Sequence, residues 1–130
     1  MRYYSVQSLN DVARLREGGD PWPTGLRRAN LGPGLYADPS DAERYRAHLL
    51  QRGAVGLVVV TYEIPEADLL QLSKQDLTQL SDEDLTGWLE RYSEYGDGEP
   101  HGYEYLVRNT GMGTEHYFAS SVFSRLREVP

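Results

Sequence analysis

Asn30-Leu31-Gly32-Pro33-Gly34-Leu35-Tyr36-Ala37-Asp38-Pro39-Ser40-Asp41-Ala42-Glu43-Arg44-Tyr45 carries three structural signals in sequence. Gly32-Pro33-Gly34 turns the backbone, and Leu35-Tyr36-Ala37 reads as a short strand. Asp38 followed by Pro39 is an N-cap with proline at the first helical position, and Ala42, Tyr45 and Leu49 then recur on one face down to Gly53. Two tyrosines nine residues apart, one on a strand and one on the next helix, can face each other across a flat ring.

Working outward, Arg2 to Val6 alternates around aromatic residues as a first strand. Ser8 opens a helix with Asp11 three positions on, near the capping-box pattern, and Gly18-Gly19 stop it. The stretch from Gly19 to Gly34 holds three prolines and four glycines, lacks periodicity, and is expected to be a long loop of the kind that often carries function. Ala54 to Ile64 is β-branched and nearly continuous, the pattern of a strand central in a sheet, and Pro65 ends it. Ser81 to Tyr92 reads as an acidic helix with Leu85, Trp88, Leu89 and Tyr92 at helical spacing. Tyr103 to Arg108 and Glu115 to Ala119 read as two late strands around Gly111-Met112-Gly113, and Ser120 to Val129 as a short terminal helix. This order of elements predicts one α+β domain across all 130 residues.

Composition narrows the chemistry. The net charge of −7 divides into +2 over residues 1–52 and −9 over residues 53–130, and twelve of the thirteen basic residues are Arg. An acidic chain is not a general polyanion binder, whereas arginines in the N-terminal half suit a small phosphate-bearing ligand through bidentate contacts. There is no cysteine, so thiol nucleophiles, thiolate zinc sites and disulfides are excluded. His48, His101 and His116 lack the i,i+4 pairing of hydrolytic zinc sites, and no metal is expected. No Gly-x-Ser-x-Gly elbow and no dinucleotide fingerprint is present. The N-terminus has no apolar signal-peptide core, and the apolar run Val55 to Val60 is interrupted at Gly56 and too short for a bilayer. A soluble protein without membrane association is the expectation.

The Gly34-Leu35-Tyr36-Ala37 element, followed by Ala42 and Tyr45, resembles the corresponding stretch of ADP-ribosyltransferases of the diphtheria-toxin and poly(ADP-ribose) polymerase type. The order of elements over most of the chain is similar to that of small bacterial, toxin-like members. The resemblance implies a split β-sandwich with short flanking helices and NAD bound in its cleft as co-substrate. It implies that Tyr36 and Tyr45 stack on nicotinamide and that Glu115 is the catalytic glutamate. Two other glutamates of the sequence, Glu104 and Glu63, compete for that role. The first strand of the family carries a His or Arg that holds the NAD ribose or phosphates. Here Ser5 stands at that position, so the resemblance leaves Ser5 to contact the ribose or carboxamide, and Arg2 on the same strand or Arg27 and Arg28 in the long loop to meet the pyrophosphate. A carboxylate is the group required, because cleavage of the nicotinamide bond passes through an oxocarbenium-like state that negative charge stabilises.

On this resemblance the expected activity is transfer of ADP-ribose to a protein or nucleic-acid acceptor. The protein would be cytoplasmic, or delivered into a target cell without a cleavable signal peptide, and would have a cognate antitoxin or immunity protein as partner. NAD hydrolysis is one alternative. The other is a non-catalytic binding module of the same fold, an immunity or regulatory protein, suggested by the missing His/Arg and the acidic C-terminal half.

Overall fold

The computed structural model describes residues 1–19, 34–37, 42–92, 101–110 and 113–130. Arg27, Arg28, most of the expected long loop and the Asp38-Pro39 helix start lie outside the described residues. In chain order the elements are β1 (Arg2–Ser8), α1 (Leu9–Arg16), β2 (Gly34–Ala37), α2 (Ala42–Gln51), β3 (Leu57–Glu63), α3 (Glu66–Gln71), β4 (Lys74–Asp76), α4 (Asp82–Tyr92), β5 (Tyr105–Thr110), β6 (Gly113–Ala119) and β7 (Arg127–Glu128). Short 3-10 turns occupy Leu77–Gln79 and Ser120–Arg125.

The strands form two sheets, ordered β1-β3-β7 and β2-β6-β5-β4. The β-branched run Leu57–Glu63 is the middle strand of the first, antiparallel to both neighbours, as its continuous apolar character predicts. In the second sheet β6 pairs antiparallel with β2 and β5, and β4 joins β5 in parallel. Tyr3, Val60 and Tyr62 from the first sheet and Leu35, Val107 and Phe118 from the second share one buried cluster, so the sheets pack face to face. The Tyr3 ring stands edge-on to Phe118 with centroids 4.9 Å apart. The protein is thus a mixed α+β domain with two sheets and several helices.

Helices cover both outer faces. Tyr45 and Leu49 of α2 pack on Val6 and Leu57, behind the three-stranded sheet. Trp88 and Leu89 of α4 pack on Tyr36, Leu106 and Tyr117, behind the four-stranded sheet.

Local rules written in the sequence set the helix ends. Ser8 caps α1 by accepting from the Asp11 amide at 3.1 Å, and Ser81 accepts from the Asp84 amide at 3.1 Å at the start of α4. At the other end of α1, Gly18 takes a φ of +89°, its amide donates to the Leu15 carbonyl, and the Gly19 amide donates to the Arg14 carbonyl at 2.8 Å. That is a Schellman ending, and a Cβ at Gly19 would lie 2.8 Å from the Arg14 oxygen, which explains why two glycines stand in a row.

The C-terminal stretch departs from expectation. Instead of one helix over Ser120 to Val129, a 3-10 turn leads into β7, where Tyr62 pairs with Glu128 and Glu63 with Arg127. Three serines and a valine within six residues are weak helix formers, and a free strand edge on β3 offers the backbone a ladder instead.

Candidate functional site

Strand alternation sorts the central residues of the four-stranded sheet onto two faces. Leu35, Ala37, Tyr105, Val107 and Phe118 turn inward to the shared core, while Tyr36, Leu106 and Tyr117 turn outward toward α4. Glu115 and Arg108 belong by alternation to this outer face, and their side chains meet there, Arg108 Nε donating to Glu115 Oε1 at 2.9 Å. Tyr36 lies directly opposite Tyr117 in the β2–β6 register, with ring centroids 5.2 Å apart and planes at 61°. Glu115 is two residues from Tyr117 on β6, a diagonal neighbour of Tyr36 at a spacing typically about 7–8 Å. A carboxylate and an aromatic pair therefore share one face.

His101 extends the aromatic cluster, in which Tyr36 and Tyr117 are buried. Its ring lies edge-on to Tyr117, with centroids 5.5 Å apart, and stacks near Trp88 at 5.9 Å. Its Nδ1 accepts from the Tyr103 amide at 2.9 Å, which fixes the ring.

The other expected site residues are distributed differently. Ser5 is buried, and its hydroxyl donates to the Tyr36 carbonyl at 2.9 Å, tying β1 to β2 across the two sheets. Its proton is therefore engaged within the fold. Tyr45 lies on α2 in the cluster around Val6 and Leu57, whereas Tyr36 lies in the cluster around Leu106 and Tyr117, so the two tyrosines fall in separate packing groups. Of the competing glutamates, Glu104 accepts from the Ser73 amide, and Glu63 is held between Arg2 and Arg127, which keep its carboxyl below the usual range.

Two members of the outer face, Arg108 and Tyr117, escaped the sequence reading. Tyr117 follows from Glu115 by the two-residue strand period. Arg108 requires the β5–β6 register, in which Arg108 is paired with Glu115, and one residue of slip would have moved it to the other face.

A second polar group lies between the sheets, with Tyr3 and Tyr105 buried and His116 half-buried. The Tyr3 and Tyr105 hydroxyls are 3.2 Å apart, and the Tyr105 hydroxyl also bonds His116 Nδ1. Burial, helped by nearby Lys74, lowers the His116 pKa to about 4, so the ring is neutral at pH 7 and its Nδ1 can accept from Tyr105. Burial pushes the Tyr105 phenol upward, so it stays protonated and able to donate. His116 thus points away from Glu115, as strand alternation requires.

Compared with protein-family models, characterised proteins and solved structures, the chain matches none. Among the described residues no group of three or more His, Asp or Glu side chains could hold a metal ion. Among them, too, no helix is long and apolar enough to cross a membrane.

Proposed function

We propose that this protein is an NAD-dependent ADP-ribosyltransferase, a toxin or effector, whose paired sheets form the split β-sandwich of that family. The observation that carries the reading is the presence of Tyr36 and Glu115 as diagonal neighbours on one sheet face, with Tyr117 between them. An aromatic surface attracts the positive nicotinamide ring by about 0.5–2 kcal/mol through cation–π contact. A carboxylate close by stabilises the oxocarbenium that forms as the nicotinamide bond breaks. The donor set fits NAD in kind. In this reading Tyr36, buried beneath Trp88 and Leu89 of α4, supplies an aromatic face and Glu115 the negative charge, so binding requires α4 to lift from the sheet. Arg108, on the same face and already bonded to Glu115, orients that carboxylate. Arg27 and Arg28 remain as the pyrophosphate contacts that the family resemblance assigns, whereas Tyr45 packs behind the other sheet and the Ser5 hydroxyl is engaged by the Tyr36 carbonyl. The acceptor is a protein or nucleic acid, and a cognate immunity protein is the matching partner.

The test is release of free nicotinamide from NAD by the purified protein, with and without cell lysate as a source of acceptors. Glu115→Gln is expected to reduce release by a factor on the order of 10²–10³ while thermal melting shows the variant folded. Release in buffer alone would identify NAD hydrolysis. No release in either condition, together with no shift in melting on adding NAD, would overturn the enzymatic reading.

One observation favours a second reading. Glu115 is only 6% exposed and engaged by Arg108, and the Ser5 hydroxyl is committed to the Tyr36 carbonyl, an arrangement suited to a non-catalytic binding module of the same architecture. An inactive protein that captures a basic partner through its acidic C-terminal half would support it.

A further inference from the structure

The inner face of the four-stranded sheet is open to water at its β4 edge. Lys74 and Asp76 stand on the same side of β4 as Tyr105 and Val107, their register partners on β5, and both are exposed, whereas Gln75 between them is half-buried on the other side. Next to this margin a hydrogen-bonded chain runs outward from the core, from the Tyr3 hydroxyl to the Tyr105 hydroxyl and on to His116 Nδ1.

Burial fixes the direction of its protons. Tyr3 and Tyr105 are only 2% and 3% exposed, and their hydroxyls have no polar partners among the described residues beyond this chain. If the imidazole donated from Nδ1, one of the two phenol protons would be left buried without an acceptor, a condition that folded proteins avoid. Tyr3 therefore donates to Tyr105, and Tyr105 donates to Nδ1. A neutral imidazole that accepts at Nδ1 carries its hydrogen on Nε2. That Nε2 has no partner among the described residues and is not one of the side-chain atoms shielded from solvent, so the half-buried ring presents an N–H to water.

Lys74 supplies a second donor. Its Nζ lies 5.3 Å from the centroid of the Tyr105 ring, whose hydroxyl holds His116 and whose centroid is 5.7 Å from that of the imidazole. The ammonium forms no ion pair among the described residues. Asp76 does not take up these donors. It is two strands from His116, with Val107 between, and its Oδ1 accepts from the Thr78 amide and hydroxyl.

We propose that Lys74 and His116 form a binding site for one oxyanion group, a phosphate or a carboxylate, of a small ligand, with Lys74 Nζ and His116 Nε2–H as its donors. Tyr3 and Tyr105 are positioning residues, which hold the imidazole in the donating tautomer. The net charge of −7 suits a single anionic group and not a polyanion. The site lies on the opposite face of β6 from Glu115 and is independent of the activity proposed there.

The experiment titrates the full chain at pH 7 with inorganic phosphate and, separately, with acetate, followed by NMR at an ionic strength held constant with chloride. Before any addition, long-range correlations from the ring C–H protons are expected to place the His116 hydrogen on Nε2. Phosphate or acetate is then expected to give saturable shifts at His116 and Lys74, and the anion that binds more tightly names the ligand class. Lys74→Gln, at an exposed position, is expected to weaken binding on the order of tenfold. Tyr105→Phe keeps the ring, removes the donor to Nδ1, and is expected to free the tautomer and weaken binding while thermal melting shows it folded. A hydrogen on Nδ1 in the wild-type chain, no saturable shift with either anion beyond that given by chloride, or undiminished binding in either folded variant would each overturn the assignment. If Tyr105→Phe fails to fold, the wild-type tautomer and Lys74→Gln still decide.

Discussion

Arg108 and Glu115 face each other across the β5–β6 ladder with side chains only 11% and 8% exposed. Two opposite charges at this depth gain from each other, but each has lost most of its water, and the balance depends on keeping both. Truncating one partner is therefore more damaging than replacing both. Glu115→Ala is expected to lower unfolding free energy by about 3–5 kcal/mol, because it strands a buried guanidinium. The double variant Arg108→Met/Glu115→Leu is expected to lose less than Glu115→Ala alone, and urea denaturation of the three proteins measures the difference. Equal losses in the single and double variants would show that the pair does not act as a unit. This coupling is also why the activity assay uses the isosteric Gln at position 115, which retains a hydrogen-bonding oxygen for Arg108.

At the scale of the elements, α1 is eight residues long, too short to persist without its ends. Ser8→Ala removes the acceptor of the Asp11 amide and is expected to destabilise the protein by about 1 kcal/mol, seen as a lower denaturant midpoint at unchanged slope. The capping serines, Gly18-Gly19 and the β-branched run of β3 were legible in the sequence because each acts through neighbours a few residues away. The elements between Pro65 and Ser81 were not. β4 has only three residues, and its parallel partner β5 begins about thirty positions later, so no local pattern announces it. The same limit governed the site. Residue alternation was enough to separate Glu115 from His116, but Arg108 joined Glu115 only through a register, and Tyr45 moved away from Tyr36 because α2 packs behind the other sheet.

For the whole molecule, the joint between the two sheets is the natural place for pH to act. His116 of β6 sits there with Tyr3 of β1 and Tyr105 of β5, and the charges of Lys74 and Asp76 also reach it. Burial holds its pKa near 4 in the folded protein, against about 6.5 in an unfolded chain. Below pH 6.5 the unfolded state therefore binds a proton that the folded state does not, and stability falls as pH drops toward 4. The contribution is fully present above pH 6.5 and largely lost at about pH 4, with a slope of at most about 1.4 kcal/mol per pH unit for one proton. Glu63, Glu128 and Asp76 have lowered carboxyl pKa values, so their losses begin only as pH nears the ordinary carboxylate range, below the onset of the histidine's. Charging the ring also removes the Nδ1 acceptor that receives the Tyr105 hydroxyl, so the Tyr3–Tyr105–His116 chain must break or reverse. His116→Asn, which cannot titrate, is expected to flatten the stability profile between pH 6.5 and 5 while leaving the steeper fall at lower pH, as measured by urea unfolding at a series of pH values. An unchanged slope over that interval in the variant would mean that the sheet joint tolerates a charged imidazole, and that acid sensitivity arises in the carboxylate pairs at the surface instead.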